Sequence, residues 1–187
     1  MKRVCVFLAD GFEEVEAFTP IDYLRRAGID VLSAGIGSRH ITGSHNVAVE
    51  SDSDIVEVAA GKEGDFDALV LPGGRRGSDN LAASAALMGL LHEQAASGRI
   101  VAAICAAPAV VLGSAAHLLK GRRFTSYPGT ETQVKDAVFL TDRVVVDGNL
   151  ITARAAGCAG EFSAAIIAAL LGPAKAEEIA QQVLLER

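Results

Sequence analysis

The stretch RIVAAICAAPAV, Arg99 to Val110, decides how this chain is read. Ile100 to Ile104 is a short, continuous apolar run of the kind that forms a strand buried on both faces. It breaks at Cys105, and a helix-like run of small residues follows at once, with Pro108 near its start. A nucleophile elbow has this layout: a reactive residue sits on a sharp strand-to-helix turn, and small residues two positions to either side allow the tight packing. Ala103 and Ala107 hold those positions around Cys105, and Ala106 follows it. A helix starting there would set free N–H groups and positive dipole charge beside the sulfur, which favours thiolate and predicts a thiol pKa below roughly 7. Spacing alone is equally compatible with a buried, inert cysteine.

Working outward, apolar β-rich runs alternate with helical patterns. RVCVFLA reads as a strand, followed by a helix from about Glu13 to Ala27 that Gly28 ends. IDVLSAG gives the next strand, HITGSHNVAVESD short strands off the main sheet, and FDALVLPGG a third buried strand. Ser78 or Asp79 is expected to cap a helix running to about Ser97, closed by Gly98. RIVAAI is the fourth strand, APAVVLGSAAHLL its helix, and RRFTSY a fifth strand. RVVVDGNLITAR reads as two strands joined by an Asp-Gly turn. Two helices close the chain, GEFSAAIIAALLG and AKAEEIAQQVLL, separated by Gly172-Pro173. Buried strands alternating with helices predict one α/β domain over residues 1–187, a doubly wound, mostly parallel sheet with helices on both faces.

Composition narrows the function classes. The net charge is −6, Trp is absent and the Arg pairs are isolated, which argues against a nucleic-acid or anionic-membrane surface. The apolar runs at Val4–Ala9 and in FSAAIIAALLG are too short for a signal peptide core or a membrane span. Three widely separated cysteines suggest neither a disulfide framework nor a zinc site, and point to a reducing cytoplasm.

Open parallel sheets carry their sites at the carboxyl ends of the strands. The loops there are DGFEEVE, PGGRRGSDN, ICAAP and SYPGTE. In the second, the N–H groups of Gly73 and Gly74 could face the same cleft as Cys105, and peptide N–H groups of Gly74 and Ala106 would make an oxyanion hole; two glycines also serve a plain tight turn. Glu13, Glu14 and Glu16 fall in the first turn of a helix, where acids are favourable in any case, and helical periodicity does not choose among them. Cys5 lies inside a strand and Cys158 opens a late helix.

ADGFEEVEAFTPIDYLRRAGIDV, ALVLPGG, IVAAICAAPAVVLG and ITARAAGCAGEF together, in order and over nearly the whole chain, resemble the ThiJ/PfpI superfamily, in the branch of the parkinsonism-associated deglycase and its bacterial relatives. The resemblance implies a flavodoxin-like sandwich, a homodimer, and a readily oxidised elbow cysteine, Cys105. It also implies that the partner carboxylate is Glu16 and that Gly74 gives an N–H to a bound anion. Glyoxalase or deglycase chemistry on methylglyoxal and its adducts follows from the same resemblance, with no metal or organic cofactor. One departure bears on mechanism: several relatives carry a histidine just before the proline after the fifth strand, where this chain has Tyr127-Pro128. Its histidines at 40, 45, 92 and 117 lie in none of the four loops. A phenol is a poor base near neutral pH, so Tyr127 is expected to line the site with Gly73, and Glu16 to carry protons. The alternative reading is a redox-sensing, stress-protective or chaperone protein with little turnover; an amidase or protease would need the missing histidine.

Overall fold

The computed structural model describes residues 1–185. Its main sheet has seven strands in the order β10-β11-β7-β6-β1-β2-β5. These are β1 (Arg3–Leu8), β2 (Asp30–Gly35), β5 (Ser53–Asp54), β6 (Ala68–Leu71), β7 (Ile100–Ile104), β10 (Val144–Asp147) and β11 (Leu150–Ala153). All pairings are parallel except β10 with β11, joined through the Asp147-Gly148 turn. Two small sheets lie apart: β3 (His40–Thr42) with β4 (Ala48–Glu50), and β8 (Arg123–Phe124) with β9 (Val138–Phe139).

Strand β1 explains the layering. Its side chains alternate between faces. Val4, Val6 and Leu8 enter one core with Leu24, Phe162, Ile166 and Ile179. Cys5 and Phe7 enter the other with Leu81, Leu87, Leu91 and Val111. Helices α1 (Glu14–Arg26), α5 (Ala159–Leu171) and α6 (Pro173–Gln182) cover the first face. The second is covered by α2 (Ile55–Ala59), α3 (Arg75–Ala82), α4 (Ala85–Ala96) and a π-helix at Pro108–Ala115. The flavodoxin-like sandwich is the architecture expected from the sequence.

Four local expectations need correction. The helix expected between Ser78 or Asp79 and Ser97 is two helices: Gly74 precedes α3, Ser78 is buried inside it, and the Ser84 hydroxyl accepts the Leu87 N–H to start α4. RRFTSY contributes only Arg123–Phe124, which pairs with Val138–Phe139 rather than joining the main sheet. The next residue's N–H goes to a side chain, Thr125 N donating to Thr152 Oγ1 at 3.0 Å. The helix after the elbow is wound in π form, with Ala116 N–H reaching Val111 O at 2.8 Å. Finally, β5 and α2 went unread; Asp54 ends one and caps the other, accepting the N–H groups of Val56 and Glu57.

Loops after β1 and β6 approach at backbone contact. A Cβ on Gly77 would lie 2.7 Å from both the N and Cα of Phe12. Backbone atoms cannot withdraw as a flexible side chain can. Gly77→Ala is therefore expected to destabilise the fold by roughly 1–3 kcal/mol, the usual cost of overpacking. A lower urea midpoint at unchanged slope would show it.

Candidate active site

Chain order across the sheet reverses between β1 and β6: β2 and β5 extend to one side of β1, β6 and β7 to the other. The loops leaving β1 and β6 belong to connections on opposite sides of this switch point and meet at the carboxyl edge, Glu13 N donating to Gly73 O at 3.1 Å. Cys105 follows β7 there, with φ +65°, a left-handed conformation that is uncommon for a residue bearing a Cβ. Its backbone is held from both sides: Cys105 N donates to Ala153 O at 2.9 Å, and Tyr127 N donates to Cys105 O at 2.7 Å. Among the three free cysteines it alone is half-buried; Cys5 and Cys158 are buried.

Glu16 reaches the same place from the first turn of α1 and is 1% exposed. Gly73 N donates to its Oε2 at 2.9 Å. Its Oε1 is buried without a hydrogen-bond partner, and the Cys105 thiol is near enough to lower its titration. Burial raises the Glu16 pKa from 4.5 to about 7, against the lowering effects of the Cys105 thiol and the Gly73 N–H. Burial likewise raises the Cys105 thiol, helped by the Glu16 charge, to about 12; hydrogen bonds from the Gly74 and Ala106 N–H groups oppose the rise.

The expectation of a thiol pKa lowered below neutrality is thus overturned in direction. Desolvation and a neighbouring carboxylate outweigh the backbone N–H groups. What these groups disfavour is the doubly ionised pair. The pair gives up its first proton near 7 and keeps its second to about 12. Between those limits the pair holds one proton.

The structure brings Cys105, Glu16, Gly73, Gly74 and Ala106 together, but with the two glycine N–H groups divided in their work. Gly73 holds the carboxyl, and Gly74 faces the sulfur. Tyr127 meets the elbow through its backbone, and the residue is half-exposed. One histidine reaches the first of the four loops from outside it. His45, in the turn between β3 and β4, folds over the start of α1, where its Nδ1 lies 2.9 Å from Glu14 Oε2 and its N–H donates to Glu14 Oε1 at 2.7 Å. Burial would raise Glu14, yet these bonds hold it down to about 2, and the Glu14 hydrogen bond raises His45 in turn. Glu13 caps α1, accepting the Val15 N–H. The three acids of the motif thus have three different tasks. Glu13, Glu14 and His45 also form the one group of potential metal ligands among the described residues, their ligand atoms within 4.8 Å of one another. Buried Cys5 is pushed far up by desolvation, which leaves it inert.

A cysteine on a left-handed strand-to-helix elbow, at the carboxyl edge of a mostly parallel sheet and beside a buried carboxyl, defines an open α/β protein with an elbow cysteine. The chain belongs to the DJ-1/PfpI family, whose model matches residues 2–169. Protein dj-1beta of Drosophila melanogaster is 41% identical over 98% of this chain and 97% of its own length. A deglycase of Pyrococcus abyssi is 36% identical over 83% of this chain and 91% of its own. The solved structure of oxidised DJ-1 from Toxoplasma gondii superposes with a TM-score of 0.94 at 34% identity, covering all of both chains.

The raised Glu16 pKa links to stability. Below pH 4.5 both folded and unfolded carboxyls are protonated; above it the unfolded one ionises first, so stability falls as pH rises to about 7. Glu16→Gln removes this loss. Relative to wild type the variant is expected to gain roughly 1–3 kcal/mol between pH 4.5 and pH 7–8, measured by urea unfolding at several pH values. A parallel pair of curves would contradict the assignment.

Proposed function

We propose that the chain is a cysteine-dependent, cofactor-free glyoxalase III- or deglycase-type enzyme that acts on methylglyoxal or its adducts. The observation that carries this reading is the pairing of half-buried Cys105, on its left-handed elbow, with the buried Glu16 carboxyl that Gly73 N–H holds, beneath the N–H groups of Gly74 and Ala106. The sulfur of the singly protonated pair attacks the aldehyde carbon, and the two N–H groups receive the developing oxyanion. Glu16 supplies the proton that makes the hemithioacetal hydroxyl. Its carboxylate then removes the hydrogen on that carbon, and the proton is returned to the neighbouring carbonyl carbon by way of an enediol. The result is a lactoyl thioester on Cys105. Water hydrolyses it, releasing lactate and regenerating the thiol, so methylglyoxal plus water becomes lactate with no external oxidant.

The identity with a named deglycase of Pyrococcus abyssi supports the substrate class. A homodimer is part of the proposal: Val15 and Phe18 on α1 and Val47 beside the His45 turn are exposed apolar residues on neighbouring segments. Sedimentation velocity at micromolar concentration reads this directly, and a monomer would exclude it.

Cys105→Ala is expected to lose methylglyoxal turnover. Glu16→Gln should still form the hemithioacetal while turnover falls by about two decades or more, the scale of a lost acid–base group. Glu13→Gln should change the rate little, which separates proton transfer from general charge loss. In wild type, kcat/KM should rise as pH passes through about 7, where the pair loses its first proton. A flat profile, or full activity in Glu16→Gln, would remove the mechanism.

A redox-sensing role is the second reading. It is favoured by the half-buried state of Cys105 against its buried counterparts, and by a relative solved in oxidised form. Two equivalents of peroxide would convert the thiol to sulfenic and then sulfinic acid, releasing two waters. Peptide mapping after mild peroxide is expected to place two oxygens on Cys105 and none on Cys5. Equal oxidation of Cys5 would refute this selectivity.

A further inference from the structure

A cavity larger than methylglyoxal could fill adjoins the turn of chain that carries Gly74. Its volume is about 550 Å³, and its walls are the loop after β1 (Asp10, Gly11), the β3–β4 turn (Thr42 to Ser44, Asn46) and the first two residues of α3, Arg75 and Arg76. Arg75 follows directly on Gly74, the residue whose N–H faces the sulfur, so this wall and the anion donor share one turn of chain.

The polar groups here divide into spent and free. The Asp10 carboxylate accepts the Thr42 N–H at 2.9 Å, and the Ser44 hydroxyl donates to Glu14. Gly43 and Ser44 give their N–H groups to Val47 O and Phe12 O. The Arg76 guanidinium makes no ion pair or hydrogen bond with any described residue, nor does the Asn46 amide. Arg75 has only an exposed pair with Asp79 at 3.4 Å, which is worth little.

Arg76 is nonetheless placed by packing. Its Cβ, Cγ and Cδ run across Gly11 at 2.7, 3.0 and 3.2 Å from where a Cβ would stand. The stem is pinned and the head is free. In a chain of net charge −6, these two exposed guanidinium groups without a strong internal partner line one cavity, against the single carboxylate of Asp10 that already accepts the Thr42 N–H.

We propose that this cavity is a subsite for the anionic tail of the substrate, held by Arg75, Arg76 and the Asn46 amide. The substrate class is then a carbonyl compound or adduct carrying a phosphate or carboxylate, its aldehyde carbon at Cys105. This deepens the enzymatic reading above and rests on it for the catalytic half only.

Binding is tested apart from turnover in full-length Cys105→Ala, by calorimetric titration with glycerol 3-phosphate, glycerate and glycerol at low ionic strength. Glycerol 3-phosphate is expected to bind about tenfold or more tighter than glycerol, and to weaken as salt is added. Arg75→Gln with Arg76→Gln keeps much of the stem and should abolish that preference, with an unchanged melting temperature as evidence of an intact fold. Glycerate binding far more weakly than glycerol 3-phosphate assigns the site to phosphate-bearing substrates; equal binding extends it to carboxylates. No preference over glycerol, or a preference that survives both substitutions, overturns the proposal. Absence of methylglyoxal turnover in wild type would remove the enzyme reading and leave this binding result intact.

Discussion

Backbone proximity, more than any one side chain, makes this site possible. A Cβ at Gly73 would lie 2.5 Å from both Cys105 Cβ and Glu16 Oε2, and one at Gly74 would lie 2.3 Å from Gly11 O. Any larger residue would push the sulfur from the carboxyl or the β6 loop from the β1 loop. Glycine also supplies the φ of +84° that turns Gly74 into α3. Three consecutive requirements, a bond to Glu16, a donor to sulfur and a helix start, fall on Gly73, Gly74 and Arg75. The rest of the sheet holds the ends of β1, β6 and β7 at that spacing.

Electrostatics at the elbow resolves into a competition. Free N–H groups of Gly74 and Ala106 draw negative charge to the sulfur, while burial and Glu16 resist it. Neither residue titrates alone, so the useful state is a property of the pair. A proton taken from one is available to the other at once, as the proton transfers of the proposed reaction require.

Legibility in the sequence followed the range of the interactions. Strands β1, β2, β6 and β7 are legible because each is an apolar run closed by a loop signal; the elbow at Cys105 is local to one pentapeptide, yet its spacing leaves an inert cysteine equally open. Helices α3 and α4 merged because the break rests on a single serine hydroxyl, a residue equally at home inside a helix. Glu16 could not be chosen over Glu13 and Glu14 by period, since what distinguishes it is a bond to Gly73, 57 positions away; only the family resemblance picked it out. His45 was missed for the same reason, its partner Glu14 being 31 positions off. The thiol pKa was misjudged because helix polarity is readable in sequence and desolvation is not.

The π-helical winding after Cys105 carries a consequence for how such chains can vary in length. A π turn takes up more residues than an α turn over a similar rise, and it is the less favourable winding. Pro108–Ala115 is held in it by its burial against α3 and the second core. The segment therefore stores surplus chain. Loss of one residue there would let the turn tighten to α geometry while both of its ends stay in place. A deletion that would misalign any strand of the sheet can be absorbed within one helical turn of Cys105.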